Sequence, residues 1–481
     1  MTCNLEHIGD QADSLGLNAL RNQESVSGKL RLFRPGQGEA WSVALASQTA
    51  SHTPRGTSQS RGALGTNSMV LTQSPQGGRV TRRSLPENAV LAIGMVVFAL
   101  FLLLPEPDKP LMYLTRWQVA SATLRGKADA SDVAQDIIGF RALVRQQDPY
   151  PILGPAGQDI GVEWQVLHTS THPPTAFLLV APIAFLPWRW AAAAWAWLML
   201  ALLVLTLRCY GVSWKTALGL TPVALLWPPV ATSLGQMTII WLFGLAAGYR
   251  LQSKRPLWSG MSIGLASMTK LFPGLLIVAF FLKRQWRALL GFVSIWLASL
   301  VILVLLHPGS IHRYLEVNRS TAPDMIWRAD NSSLLLNSYR YGGWIGLALV
   351  LAFFLLIVWT NRDCLYDSEP FASPRLWRLL SYFTVALLPI SWGYSIAPLL
   401  PIVTFLVSRR KLSTMIVGSW CIVISCVGPM WGPYSVLPLV LVNLLVGTGL
   451  LFDALPFRLF TAHYLRDLAG PSSHQDSTRH R

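Results

Sequence analysis

The chain has 481 residues, of which 52% are hydrophobic and only 13% charged. A soluble globular protein carries about 25% charged residues to cover its surface, so most of this surface faces something other than water, and a soluble enzyme, a collagen-like fibre and a largely disordered protein are excluded. The net charge is +16, from 39 basic and 23 acidic residues. The basic residues punctuate apolar runs, as in Arg250-Leu-Gln-Ser-Lys254-Arg255, Lys283-Arg284-Gln-Trp-Arg287 and Arg409-Arg410-Lys411. That is the pattern of short cytoplasmic loops between membrane spans, not of nucleic-acid binding.

Residues 1–86 are rich in Ser, Gly, Gln, Thr and Arg and show no sustained apolar period. Such composition predicts a disordered segment, and Arg79, Arg82 and Arg83 hold it on the cytoplasmic side. A first span is predicted from Ala89 to Leu104, closed by Pro105. The polar stretch 105–172 then forms a large first extracytoplasmic loop. Within it, Ser131 to Gln147 places Val133, Ile137, Phe140, Ala142 and Val144 at near-helical spacing. This predicts an amphipathic helix on the membrane surface, capped by Ser131 or Asp132. Apolar runs alternate with short breaks from residue 174 to 452, and several fall short of the roughly 20 residues a span needs. The chain is therefore expected to be an all-α, multi-pass integral membrane protein. Its bundle of about 10–13 transmembrane helices covers 87–456, and a cytoplasmic tail occupies 457–481. The basic loops place 232–236, 270–271, 307–341, 393–397 and 428–434 outside and Arg208 to Lys215 inside. Counting forward from the first loop gives the wrong parity there, and the simplest repair makes 174–187 re-entrant or interfacial.

The five cysteines (Cys3, Cys209, Cys364, Cys421 and Cys426) form no Cys-x-x-Cys pair and are odd in number, so neither a disulfide framework nor a zinc site is expected. No Asp-x-Asp element and no Gly-rich phosphate loop is present, which argues against a metal and a nucleotide cofactor.

The outer face collects Asp136, Asp148, Tyr150, His172, Gln236, Lys270, Arg328, Asp330, Asn331 and Trp392. Lys270 lies in Ala266-Ser-Met-Thr-Lys270-Leu-Phe-Pro273, between apolar segments and away from the basic loops. A lysine there is costly unless paired or near the interface; it either snorkels to headgroups or binds an anion such as a phosphate. Gln236 suits either a sugar hydroxyl or the cap of a broken helix. His172, before two prolines, suits a structural or a sugar-binding role. Arg328 suits a phosphate clamp or a solvated loop. Asn331-Ser-Ser and Asn318-Arg-Ser320 fit the glycosylation acceptor pattern.

Three motifs carry a resemblance. The first is Asp136-Ile-Ile-Gly-Phe140-Arg-Ala142 followed by Asp148-Pro-Tyr150. The second is His172-Pro173-Pro174 running to Leu186-Pro187. The third is Gly235-Gln236, then Gly260-Met-Ser-Ile-Gly264-Leu-Ala266 with Lys270 and Pro273, then Lys283-Arg284-Gln-Trp286-Arg287. Over about residues 88–430 the chain resembles the glycosyltransferase 87 family, polytopic GT-C enzymes that use polyprenyl-phosphate sugars and include α-1,2-mannosyltransferases. The resemblance implies a bacterial plasma-membrane enzyme with its active site facing outside. It would transfer a hexose, mannose best, from a polyprenyl-phosphate sugar to a glycolipid or glycan acceptor. No cofactor beyond the lipid-linked donor is implied.

Asp136 is then the catalytic base of a single, inverting displacement, Lys270 and Arg328 meet the donor phosphate, and Gln236, His172 and Asn331 bind sugar or hold the site. The late run Leu388-Pro389-Ile390-Ser391-Trp392-Gly393-Tyr394 departs from the family's Ser-Pro-x-Ser-Trp-Asp-His-like pattern, which puts a catalytic role for that loop in doubt. The rival class is a transporter or lipid-linked sugar flippase, which would show repeated halves and polar sites at mid-membrane; neither is evident.

Overall fold

The computed structural model describes residues 86–105, 115–127, 132–162, 169–327, 331–367, 369–408, 412–427 and 436–454, and among these every regular element is helical. The segment 1–85, the tail 457–481, Arg328, Asp330 and the loops 409–411 and 428–435 lie outside the described residues. In chain order the helices are α1 Glu87–Leu102, α2 Thr115–Leu124, α3 Val133–Val144, α4 Leu153–Gln158, α5 Pro174–Leu179, α6 Trp188–Cys209, α7 Trp214–Leu225, α8 Pro228–Thr232, α9 Thr238–Leu251 and α10 Pro256–Thr269. They continue as α11 Ile277–Leu282, α12 Trp286–Leu306, α13 Ser310–Trp327, α14 Leu334–Thr360, α15 Asp363–Tyr366, α16 Pro374–Ala386, α17 Leu400–Ser408, α18 Leu412–Val427 and α19 Val436–Ala454. Turns of 3-10 helix precede α9, α11 and α17.

Four of the described helices are long and apolar enough to cross a membrane: α6, α12, α14 and α19. A fifth candidate is the pair α7 and α8 with the 3-10 turn that follows, bent by 94°. The bend falls at Trp227-Pro228-Pro229, where two prolines cannot continue the hydrogen-bond ladder. Apolar helices of 10–17 residues, α1, α9 and α18 among them, make up much of the rest. The sequence expectation of about 10–13 spans thus resolves into four or five elements of spanning length and several shorter ones. Gly, Pro and polar breaks cut the apolar runs below the roughly 20 residues that a straight crossing needs.

Two features depart from the expected first loop or sharpen it. The core of the segment 131–147 does not lie on a surface. Its helix α3 buries ten of its residues, Val133 to Phe140 together with Ala142 and Leu143, so both faces are covered by protein. Asp132 occupies the capping position without making a side-chain cap hydrogen bond; its carboxylate accepts from Tyr394 instead. The segment 174–187 contains only the six-residue α5 followed by turns, about 9 Å of helix at 1.5 Å per residue and too short to cross. Arg141 of α3 fixes those turns, donating from Nε to the Ala184 carbonyl at 2.6 Å and from Nη2 to the Leu186 carbonyl at 3.1 Å. A guanidinium with several donors in one plane suits this double capture of carbonyls that no helix satisfies.

In an apolar surround, helices associate by close approach of small residues rather than by hydrophobic burial. The α10–α12 crossing illustrates this. A Cβ on Gly260 would stand 1.7 Å from the Ala288 carbonyl oxygen, and one on Gly291 would stand 2.1 Å from the Leu257 oxygen. Gly260→Ala must therefore push the helices apart, and a loss of about 3 kcal/mol is expected from such overpacking. Gly309→Ala, where the nearest atom is the His307 ring at 3.5 Å, is the control and leaves thermal unfolding in detergent unchanged.

Candidate active site

The α9–α10 hairpin sets the frame. From Gln236 the chain enters α9, reaches the basic segment Arg250 to Arg255, and returns through α10 to Lys270. Its two free ends meet again beside α5 and the 3-10 turn Gly393–Leu399. There His172, Gln236, Met237, Thr238, Trp241, Thr269, Lys270 and Tyr394 line one small, partly open pocket.

His172 is the centre of the polar arrangement. Its Nδ1 lies 2.8 Å from Asp136 Oδ1. Its backbone N–H donates to Ser170 Oγ at 3.2 Å, and its carbonyl accepts from the buried Tyr150 hydroxyl at 3.0 Å. Asp136 is 0% exposed, while the His172 side chain is 13% exposed. The imidazole therefore stands between the carboxylate and the pocket. The sequence reading took Asp136 as the base and His172 as structural or sugar-binding; the structure adds that the two are hydrogen-bonded partners. Burial pushes the Asp136 carboxyl up from its ordinary value, partly countered by His172. Burial alone would lower the His172 imidazole, but the Asp136 carboxylate and its hydrogen bond raise it overall. An Nδ1–H donated to Asp136 leaves the Nε2 lone pair available to accept a proton.

Lys270 ends α10, where the backbone turns extended. Its Nζ donates to Ser395 Oγ at 3.3 Å and lies 5.2 Å from the Tyr394 ring centroid. The Tyr394 hydroxyl donates to Asp132 Oδ2 at 3.2 Å. Burial lowers the ammonium, and the Asp132 charge only partly offsets this, leaving it at about 8. Among the described residues Lys270 has no ion-pair partner, so its charge is available to an anion in the pocket.

The remaining expected site residues separate. Gln236 lines the pocket. Asn331 does not: it is 0% exposed and ties two loops together. Its Nδ2 donates to the Ile326 and Pro389 carbonyls at 3.1 Å each, and its Oδ1 accepts from the Ser333 and Ser391 N–H groups at 3.0 Å each. Of the two roles expected for Asn331, sugar binding or holding the site, these buried bonds suit the second. Asp148 lies apart, paired with Arg313 at 2.9 Å. The sequence reading missed Trp241, Ser395 and Tyr394. The last two follow Ser391-Trp392-Gly393, the run judged doubtful for its lost Asp and His, yet that loop supplies Tyr394 to the pocket wall and Ser395 to Lys270.

The fold and this pocket define an all-helical protein, over the described residues, with four or five elements long and apolar enough to cross a membrane and with a buried Asp–His pair and a lysine brought together at one pocket. Residues 171–391 match the family model of glycosyltransferase family 87. This match supports membership of that family, and the family implies a glycosyltransferase acting on a sugar donor and an acceptor. The matched segment contains His172, Gln236, Lys270 and Asn331 but begins after Asp136, and it is shorter than the 88–430 expected from the motifs. No curated protein and no solved structure matches the chain.

Proposed function

We propose that the pocket transfers a hexose, mannose best, from a polyprenyl-phosphate sugar to a glycolipid or glycan acceptor. The observation that carries this reading is the meeting in one pocket of Lys270, a cation with no carboxylate partner among the described residues, and His172, backed by Asp136. The acceptor hydroxyl attacks the anomeric carbon as the bond from that carbon to the phosphate oxygen breaks. The hydroxyl proton passes to His172 Nε2, whose imidazolium the Asp136 carboxylate stabilises. The leaving polyprenyl phosphate keeps the bonding electron pair, and Lys270 meets its growing charge. One displacement inverts the anomeric centre and needs no second carboxylate nucleophile. No cofactor is required beyond the lipid-linked donor. The basic segment Arg250 to Arg255 lies at the far end of α9 and α10 from the pocket, and by the positive-inside rule this supports a site on the non-cytoplasmic face of the plasma membrane.

The test is incubation of membranes containing the protein with radiolabelled polyprenyl-phosphate mannose or glucose, followed by analysis of the labelled lipids and glycans. Transfer of label into a new product is expected, with mannose preferred. Movement of intact donor across vesicles without transfer would favour a flippase instead.

A further inference from the structure

Trp241 has no task in the scheme above. It lines the pocket, is 0% exposed, and its indole Nε1–H has no acceptor among the described residues. An indole N–H can only donate, and a buried donor is ordinarily paired. The helix that carries it adds positive charge of its own. Trp241 follows Met237 by four residues and Thr238 by three, so all three share one face of the first turn of α9, and all three line the pocket. That helix start has no side-chain cap and no acidic residue in its first turn. Its leading N–H groups therefore carry partial positive charge that no side chain offsets. The Gln236 amide beside it has no side-chain hydrogen bond among the described residues, and Lys270 completes the lining.

We infer that the start of α9 is an anion cradle in which the Trp241 indole N–H, the Gln236 amide and the first-turn N–H groups hold a phosphate opposite Lys270. This rests on the proposed transfer and assigns its donor phosphate a place. Phosphate oxygens are acceptors, which suits a site that offers donors and positive charge from several directions. A neutral sugar hydroxyl would leave Lys270 and the helix start without a counter-charge. Trp241 is thus a binding residue for the phosphate rather than a participant in proton transfer.

The test uses the full chain in lipid nanodiscs, with short-chain polyprenyl phosphate and the corresponding uncharged polyprenol as probes in titration calorimetry. The unaltered protein is expected to bind the phosphate more tightly than the alcohol. Trp241→Phe keeps an aromatic ring and loses only the donor. It should weaken phosphate binding about tenfold, as for one hydrogen bond to a charged group, and leave alcohol binding unchanged. In protein carrying 15N-labelled tryptophan, the indole N–H signal that Trp241→Phe removes should shift downfield on adding phosphate to the unaltered chain, a readout independent of how well the variant folds. Equal phosphate affinity in Trp241→Phe together with an unmoved signal would overturn the cradle, while a retained preference for phosphate would leave the transfer reading standing. No preference for phosphate over alcohol in the unaltered protein would overturn both.

Discussion

Asp136→Asn is expected to lower kcat by about 100-fold to 10,000-fold, the range for loss of general acid–base assistance, with donor affinity largely kept. The amide retains the shape of the carboxyl but can donate to His172 Nδ1. The imidazole then carries its proton on Nε2, the atom that must accept one, so the tautomer is wrong for catalysis. His172→Asn should lose as much, and the double variant little more, because the two residues act as a unit.

The pH profile separates this from a structural effect. His172 must be neutral to accept the proton, and Asp136 raises its pKa above the ordinary 6.5. The acid limb of kcat/KM should therefore lie above pH 6.5, activity falling as pH drops through it. In Asp136→Asn the main raising charge is gone and only the weaker one of Asp132 is left, while burial, the largest influence and one that lowers the imidazole, remains. The residual activity should have its acid limb below pH 6.5. An acid limb that stayed in place in Asp136→Asn would show that His172 does not titrate in the reaction, and near-normal turnover in His172→Asn would return the base to Asp136 itself.

Lys270→Met should lower kcat/KM by about 100-fold to 1,000-fold, as when a preformed stabiliser of transition-state charge is removed. Donor affinity and turnover should fall together, because the ammonium meets phosphate in the ground state and more charge as the bond breaks. Burial places the Lys270 ammonium at about 8, so kcat/KM should decline as pH rises through about 8 and the free enzyme loses the cation. Lys270→Arg carries a charge that persists above pH 12. Whatever activity it retains should show no decline near 8. A decline preserved in Lys270→Arg would assign it to another group, and donor binding untouched by Lys270→Met would make Lys270 a snorkelling residue.

Several features were already fixed by composition and local pattern. Low charge and long apolar runs dictate helices in a membrane, because a backbone in hydrocarbon must satisfy its own hydrogen bonds. Lys270 and Gln236 were legible because each is polar at a break between apolar runs, and both line the pocket. The non-spanning character of 174–187 followed from loop parity.

Tertiary contact decided the rest. A period of apolar residues says which face of α3 prefers burial but not whether a second layer covers the other face. The packing of α4, α5, α6 and α12 against α3 covers that face and leaves Asp136 with no exposure. Covering it made His172 its partner across 36 residues of chain, a pairing set by distance in space that no local spacing encodes. The same holds for Asn331, whose bonds to Pro389 and Ser391 span 58 and 60 residues, and for Trp241, which sits in an apolar run and becomes conspicuous only because its buried N–H has no acceptor among the described residues.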